Sequence, residues 1–476
     1  FTPFWILRQG GVLYFPKSEV FMNRFIDETK INEMLEKGKN AQKAEIREII
    51  GKALEFGGLT ALEASKLIQI EDKDMILEVF GAALSVKEHI YGKRIVLFAP
   101  LYTSSHCVND CLYCAFRASN NHISRSVLNT EQIIEEAKAI ESLGHKRILL
   151  VCGESENDSD ADHIASALEA IYVSTGIRRI NVNAAPVEVQ DYKKIKAAGV
   201  GTYQLFQETY HRPTYALMHP TGPKSDYDLR LSAMEKAIEA GIDDLGVGAL
   251  LGLYDYRFEL LAILEHAAYL DKSYGTGPHT ISIPRLKPAK GAVLTRTPYP
   301  VSDEDFKKYV AILRLAVPYT GIILSTRESR TLRDELLNLG VSQMSAGSKT
   351  NPGGYKEKDS GNGQFETDDH RTLSEVVGAI CDSGFMPSFC TACYRKSRTG
   401  ERFMALAKSG HINEFCQPNS ILTFKENLLD YADENARIKG ENIIAKALLD
   451  IKDTKLRSLT AEKLRDIENG ERDIYL

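Results

Sequence analysis

The chain has 476 residues, 43% of them hydrophobic and 26% charged, with a formal net charge of −6. That length exceeds one ordinary domain but suits a single (β/α)8 barrel with extensions, and the slight acidic excess gives no basic field for nucleic acid. No apolar stretch reaches the roughly eighteen residues of a membrane helix, and Phe1-Thr2-Pro3-Phe4-Trp5-Ile6-Leu7-Arg8 is too short and too broken by Pro3 and Arg8 for a signal peptide, so a cytoplasmic protein is expected.

Residues 1–21 read as an upstream segment without function. From residue 22 to 93 the pattern is helical: Ile26, Ile31, Met34 and Leu35 share one face, Gly57-Gly58 interrupts, and Thr60 is placed to cap a second start. After Gly92 short β-rich runs alternate with helical stretches, the signature of repeated βα units around a parallel sheet. Eight such runs are predicted: Arg94–Ala99, Arg147–Cys152, Arg179–Ala184, Thr202–Gln207, Asp244–Leu250, His279–Pro284, Gly321–Ser325 and Ser342–Ala346. Eight strands can close, so the fold class is α/β, a barrel over 94–349 whose active site belongs in the loops after the strands. The Gly- and Asp-rich stretch from Thr350 to Arg371 marks a boundary, and 350–476 forms a C-terminal domain with amphipathic helices expected at Leu422–Tyr431 and Glu441–Ile451.

The chemistry lies in the cysteines. Eight are present, and three of them follow the first strand as Cys107-Val108-Asn109-Asp110-Cys111-Leu112-Tyr113-Cys114. Three thiolates on one loop can hold three corners of a 4Fe-4S cluster and leave the fourth iron free to chelate a small molecule such as S-adenosylmethionine. A zinc knuckle would instead close with four ligands in paired CxxC units. With Tyr113 directly before the third cysteine, the loop resembles that of the radical S-adenosylmethionine enzymes. A second triplet follows far downstream: Cys390 and Cys393 form a CxxC, and Cys416 comes after twenty-two intervening residues. Alone it is ambiguous between zinc, redox and cluster roles; beside the first it reads as another 4Fe-4S site. Cys152 and Cys381 sit in apolar patterns and are assigned to the core.

Further candidates follow the strands. Cys152-Gly153-Glu154 resembles, with its first glycine replaced, the Gly-Gly-Glu element that binds the methionyl amino group in that family. Gly246 and Gly248 in the fifth run would admit a flat adenine ring. Arg285, Arg327 and Arg330 stand after the sixth and seventh strands, where a guanidinium suits a carboxylate, and Ser345 and its neighbours after the eighth can complete such a pocket.

The phrases Gly92-Lys93-Arg94-Ile95-Val96-Leu97-Phe98-Ala99-Pro100-Leu101-Tyr102, Gln204-Leu205-Phe206-Gln207-Glu208-Thr209-Tyr210-His211-Arg212-Pro213 and Leu324-Ser325-Thr326-Arg327-Glu328 resemble the radical S-adenosylmethionine tyrosine lyases. The thiazole-forming lyases of thiamine synthesis share the barrel but lack the C-terminal triplet, so the resemblance is to the [FeFe]-hydrogenase maturase branch. It implies cleavage of L-tyrosine to p-cresol and dehydroglycine, and conversion of the latter to carbon monoxide and cyanide bound to iron for H-cluster assembly. It also implies two 4Fe-4S clusters, S-adenosylmethionine, an additional mononuclear iron with His266 as its ligand, an electron donor such as ferredoxin or flavodoxin, and other hydrogenase maturation proteins as partners. Arg327 and Ser345 would grip the substrate carboxylate. The alternatives are a thiamine-type 2-iminoacetate synthase, a radical enzyme with another substrate, and a two-cluster carrier without turnover; a carrier has no use for a full barrel with arginines at its mouth.

Overall fold

The computed structural model describes residues 25–356, 361–396 and 398–476. The proposed 1–21 segment lies outside them.

Four helices open the described chain: α1 (Glu28–Gly38), α2 (Lys43–Ala53), α3 (Ala61–Ile68) and α4 (Lys73–Tyr91). Thr60 starts α3 through a reciprocal capping box, its hydroxyl accepting from the Glu63 N–H while its own N–H donates to the Glu63 carboxylate. The bundle is tied to the barrel by buried contacts: Lys87 donates to the Leu337 carbonyl at 2.7 Å, and the Leu59 N–H donates to the Ala316 carbonyl at 3.2 Å.

Eight parallel strands then close into a barrel: β1 (Arg94–Ser104), β2 (Arg147–Cys152), β3 (Arg179–Asn183), β4 (Tyr203–Glu208), β5 (Leu245–Ala249), β6 (Thr280–Ser282), β7 (Gly321–Leu324) and β8 (Gln343–Ser345). Every strand predicted from the sequence is present, and β1 pairs with both β2 and β8 to complete the ring. Strand periodicity explains the layering. On β1, Ile95, Leu97, Ala99 and Leu101 are fully buried among the outer helices, while the alternate residues Phe98, Pro100 and Tyr102 face the barrel cavity.

A ninth strand, β9 (Met386–Ser388), has no counterpart among the predicted runs. It pairs in parallel with Arg94–Val96, the first residues of β1, and so carries the C-terminal segment to the barrel's lower, N-terminal end. The C-terminal helices are longer than expected, Ile412–Asp430 and Glu434–Leu449, and the charged tail forms another, Thr454–Glu468. Among the described residues no helix is long and apolar enough to cross a membrane.

Candidate active site and a second cysteine site

The upper end of the barrel opens into a cavity of about 1450 Å³, the solvent-filled mouth included. Cys107, Cys111 and Cys114 line it from the loop after β1, with Tyr113 between the last two. The loop is fixed by its own backbone. The Val108 N–H donates to the Glu154 carbonyl at 2.8 Å, Leu112 to Met218 at 3.0 Å, and Cys114 closes a turn onto Cys111 at 3.2 Å. The Phe116 N–H points at the Cys114 sulfur at 3.4 Å. Burial nonetheless pushes the Cys114 thiol up to about 12 and raises Cys111 as well. Thiolates at Cys111 and Cys114 therefore need a strongly cationic partner, which the irons of a cluster supply; with Cys107 beside them, the donor set fits a 4Fe-4S cluster.

Gly153 and Glu154 line the same cavity. A Cβ at Gly153 would collide with the His106 carbonyl, so only glycine lets the cysteine loop cross β2's end at that height. Glu154 accepts from the Asn109 amide at 2.5 Å. Cys152, assigned from sequence to the core, is half-buried and lines the cavity instead, because β2 ends there and its side chain turns inward.

The arginines separate cleanly. Arg327 lines the cavity, and its guanidinium has no hydrogen-bond partner among the described residues; its charge faces the Phe365 ring, 3.3 Å from the centroid. Arg285 is neutralised by Glu328 and by Asp303 at 2.8 Å, and Arg330 is exposed. Ser345 lines the wall beside Arg327, with the Ser348 hydroxyl buried and unpartnered nearby.

Sequence reading missed a charged group across the cavity. Glu208 ends β4 at a bulge with φ +69°, a left-handed conformation unfavourable for a glutamate. It takes Lys224 at 2.7 Å and Arg230 at 3.4 Å, and these two cations hold its carboxyl below the usual range despite burial. Glu154 lines the same cavity and also faces Arg230, so the two cations stand among two carboxylates. The only sequence signal of Glu208 was position at a strand end. Gly246 and Gly248, by contrast, do not line the cavity. A Cβ at Gly248 would strike the Ser282 carbonyl at 2.6 Å and the Phe206 ring at 2.8 Å, and one at Gly246 would meet Gln204 and Thr280 at 2.6 Å, so these glycines serve packing between strands.

At the opposite end of the barrel a hollow of about 560 Å³ gathers Cys390, Cys393 and Cys416. Cys390 follows β9, and Cys416 comes from the helix Ile412–Asp430. Arg147 braces the loop by donating to the Cys390 carbonyl at 3.1 Å and the Tyr394 hydroxyl at 3.2 Å. Cys393 and Cys416 both line the hollow, and the neighbouring Cys416 together with the Arg398 and Arg94 guanidiniums favours a thiolate at Cys393. This donor set, three sulfurs in a cationic hollow, also fits an iron–sulfur cluster. The histidine beside it is His279, not His266. His266 is buried in the helix Tyr256–Tyr274, its Nδ1 2.8 Å from the Tyr210 hydroxyl and its ring 5.1 Å from that of Phe25, and it does not line the hollow. His279 stands just before β6, at the lower end where Arg94 and Arg147 begin their strands.

Residues 101–267 match the Radical SAM superfamily and residues 282–386 the Biotin and Thiamin Synthesis associated domain. The 2-iminoacetate synthase of Escherichia coli strain K12 is 32% identical over 350 residues, covering 70% of this chain and 91% of its own length. A crystal structure of HydG, a maturase of the [FeFe]-hydrogenase, is 51% identical and superposes with a TM-score of 0.92 over 95% of this chain and all of the other. The chain belongs to the HydG family. The HydG of Carboxydothermus hydrogenoformans is 45% identical, with a TM-score of 0.82 over 92% of this chain and 97% of that one. HydG structures thus match nearly the whole chain, whereas the synthase leaves about a third of it unmatched.

Proposed function

We propose that this chain is a radical S-adenosylmethionine lyase that cleaves L-tyrosine into p-cresol and dehydroglycine and converts the latter into carbon monoxide and cyanide, bound to iron for assembly of an [FeFe]-hydrogenase H-cluster. The observation that carries this reading is the pairing of an unpartnered Arg327 with a three-cysteine loop in one cavity, above a second cysteine triplet at the other end of the same barrel. Cys107, Cys111 and Cys114 would hold the first 4Fe-4S cluster. When bound with S-adenosylmethionine, it supplies, after one-electron reduction, the 5′-deoxyadenosyl radical that no acid or base side chain can generate.

The chain's own residues do the rest. Arg327 holds the tyrosine carboxylate by a charge-assisted contact, with Ser345 and Ser348 as hydroxyl partners. Lys224 and Arg230, set among Glu208 and Glu154, offer N–H donors to the methionyl carboxylate across the cavity. Phe98, Val151 and Leu250 line the walls and exclude water from the reacting centre. Cys390, Cys393 and Cys416 would hold a second 4Fe-4S cluster, and His279 an additional mononuclear iron beside it. A ferredoxin or flavodoxin as reductant, other hydrogenase maturation proteins as partners and a cytoplasmic setting complete the reading. It is tested by anaerobic reconstitution and product analysis with tyrosine: p-cresol alone fits a 2-iminoacetate synthase, p-cresol with carbon monoxide fits this proposal, and neither contradicts it.

A further inference from the structure

Asp244 is 1% exposed, directly precedes β5, and neither of its carboxylate oxygens has a hydrogen-bond partner among the described residues. A buried, unsatisfied carboxylate is costly and calls for an explanation. The arginines nearby do not supply one. Arg147 spends its guanidinium on the Cys390 carbonyl and the Tyr394 hydroxyl, and Arg179 lies over the Tyr394 ring, 3.5 Å from its centroid, with its Nε unpartnered. Arg147 and Tyr394 lie within electrostatic reach of Asp244, and its one ion-pair contact among the described residues is His279, whose Nδ1 stands 3.7 Å from its Oδ1.

β5 and β6 are neighbouring strands, so the residues just before them meet at the lower rim of the barrel. The imidazole is further held against Phe403, ring centroids 4.0 Å apart. His279 lines the hollow of the second cysteine triplet, whereas Asp244 does not; with Nδ1 turned towards Asp244, Nε2 is the nitrogen left for the hollow. A carboxylate facing Nδ1 favours the tautomer with its proton there and keeps the Nε2 lone pair free for a metal.

We propose that Asp244 is a positioning residue for His279, fixing its ring orientation and tautomer so that Nε2 is presented to a ferrous ion docked beside Cys390, Cys393 and Cys416. This rests on the reading of His279 as a ligand of the additional iron.

The test is titration of cluster-reconstituted protein with ferrous iron alone, under anaerobic conditions, followed by EPR and iron counts. Asp244→Asn, which keeps the shape but removes the charge, should weaken ferrous binding about 10–100-fold while the cubane signals and the melting temperature stay as in the parent protein. Asp244→Glu should recover part of the loss. If His279→Ala abolishes ferrous binding but Asp244→Asn leaves it unchanged, the positioning role is overturned and the ligand stands. If both variants bind like the parent, the ligand reading falls and the positioning role with it. Loss of the cubane signals or a large drop in melting temperature in Asp244→Asn would make the carboxylate a folding element and also overturn the proposal.

Discussion

The Arg327 guanidinium faces the Phe365 ring at 3.3 Å from its centroid and makes no hydrogen bond among the described residues. A stacked but unpaired guanidinium in a cavity is held in place without being neutralised, which leaves its donors for an anionic ligand. Arg327→Ala should therefore lose about 1.5–3 kcal/mol of tyrosine binding, a tenfold or larger fall in affinity, with S-adenosylmethionine binding retained. Equilibrium binding of each ligand to the variant checks this.

The first cysteine loop carries a stricter expectation. Each of Cys107, Cys111 and Cys114 should hold one iron, so Cys114→Ser should abolish reductive cleavage of S-adenosylmethionine and p-cresol formation with it. The measurement is 5′-deoxyadenosine release after anaerobic reconstitution; a rate comparable to the parent would remove the loop from the chemistry.

Much of this was legible in the sequence, for definite reasons. The eight strands stood out because each is an apolar run bounded by turn residues, and the cysteine spacings survive any packing. What failed was side-chain direction. His266 lies in an apolar helical stretch that gave no clue to its neighbours, and the helix turns it towards Tyr210; His279 was in view as the first residue of the sixth run but carried no spacing to link it to Cys416. Gly246 and Gly248 looked like a ligand surface because a missing Cβ serves close strand packing equally well. β9 has only three residues and includes Pro387, too short a pattern to register. The Glu208 group was invisible because it joins the end of β4 to residues some twenty positions on.

His266 gives a separate prediction. His266→Ala removes the buried partner of the Tyr210 hydroxyl and should cost about 1–3 kcal/mol of stability, read as a lower melting temperature, with iron content unchanged. Iron loss from this variant with no thermal effect would restore His266 to the metal site.

Acid stability should report on Asp369. Its carboxylate is buried between Arg333 and Arg371, at 2.6 Å from the latter, and these guanidiniums lower it to about 2 from an ordinary 3.8. A depressed folded-state value means stability that is present above the ordinary value and is lost as pH falls from about 4 towards 2. Asp369→Asn should therefore be less stable at neutral pH and flatter across that window, as followed by urea denaturation at a series of pH values. An unchanged acid limb would assign the pH dependence to other carboxylates.

The division of labour between the two ends of the barrel is tested most directly by the products of Cys393→Ser. With tyrosine and S-adenosylmethionine under anaerobic conditions, the account predicts that this variant still makes p-cresol while losing most of the carbon monoxide trapped by a haem protein. A full yield of carbon monoxide from Cys393→Ser would contradict it.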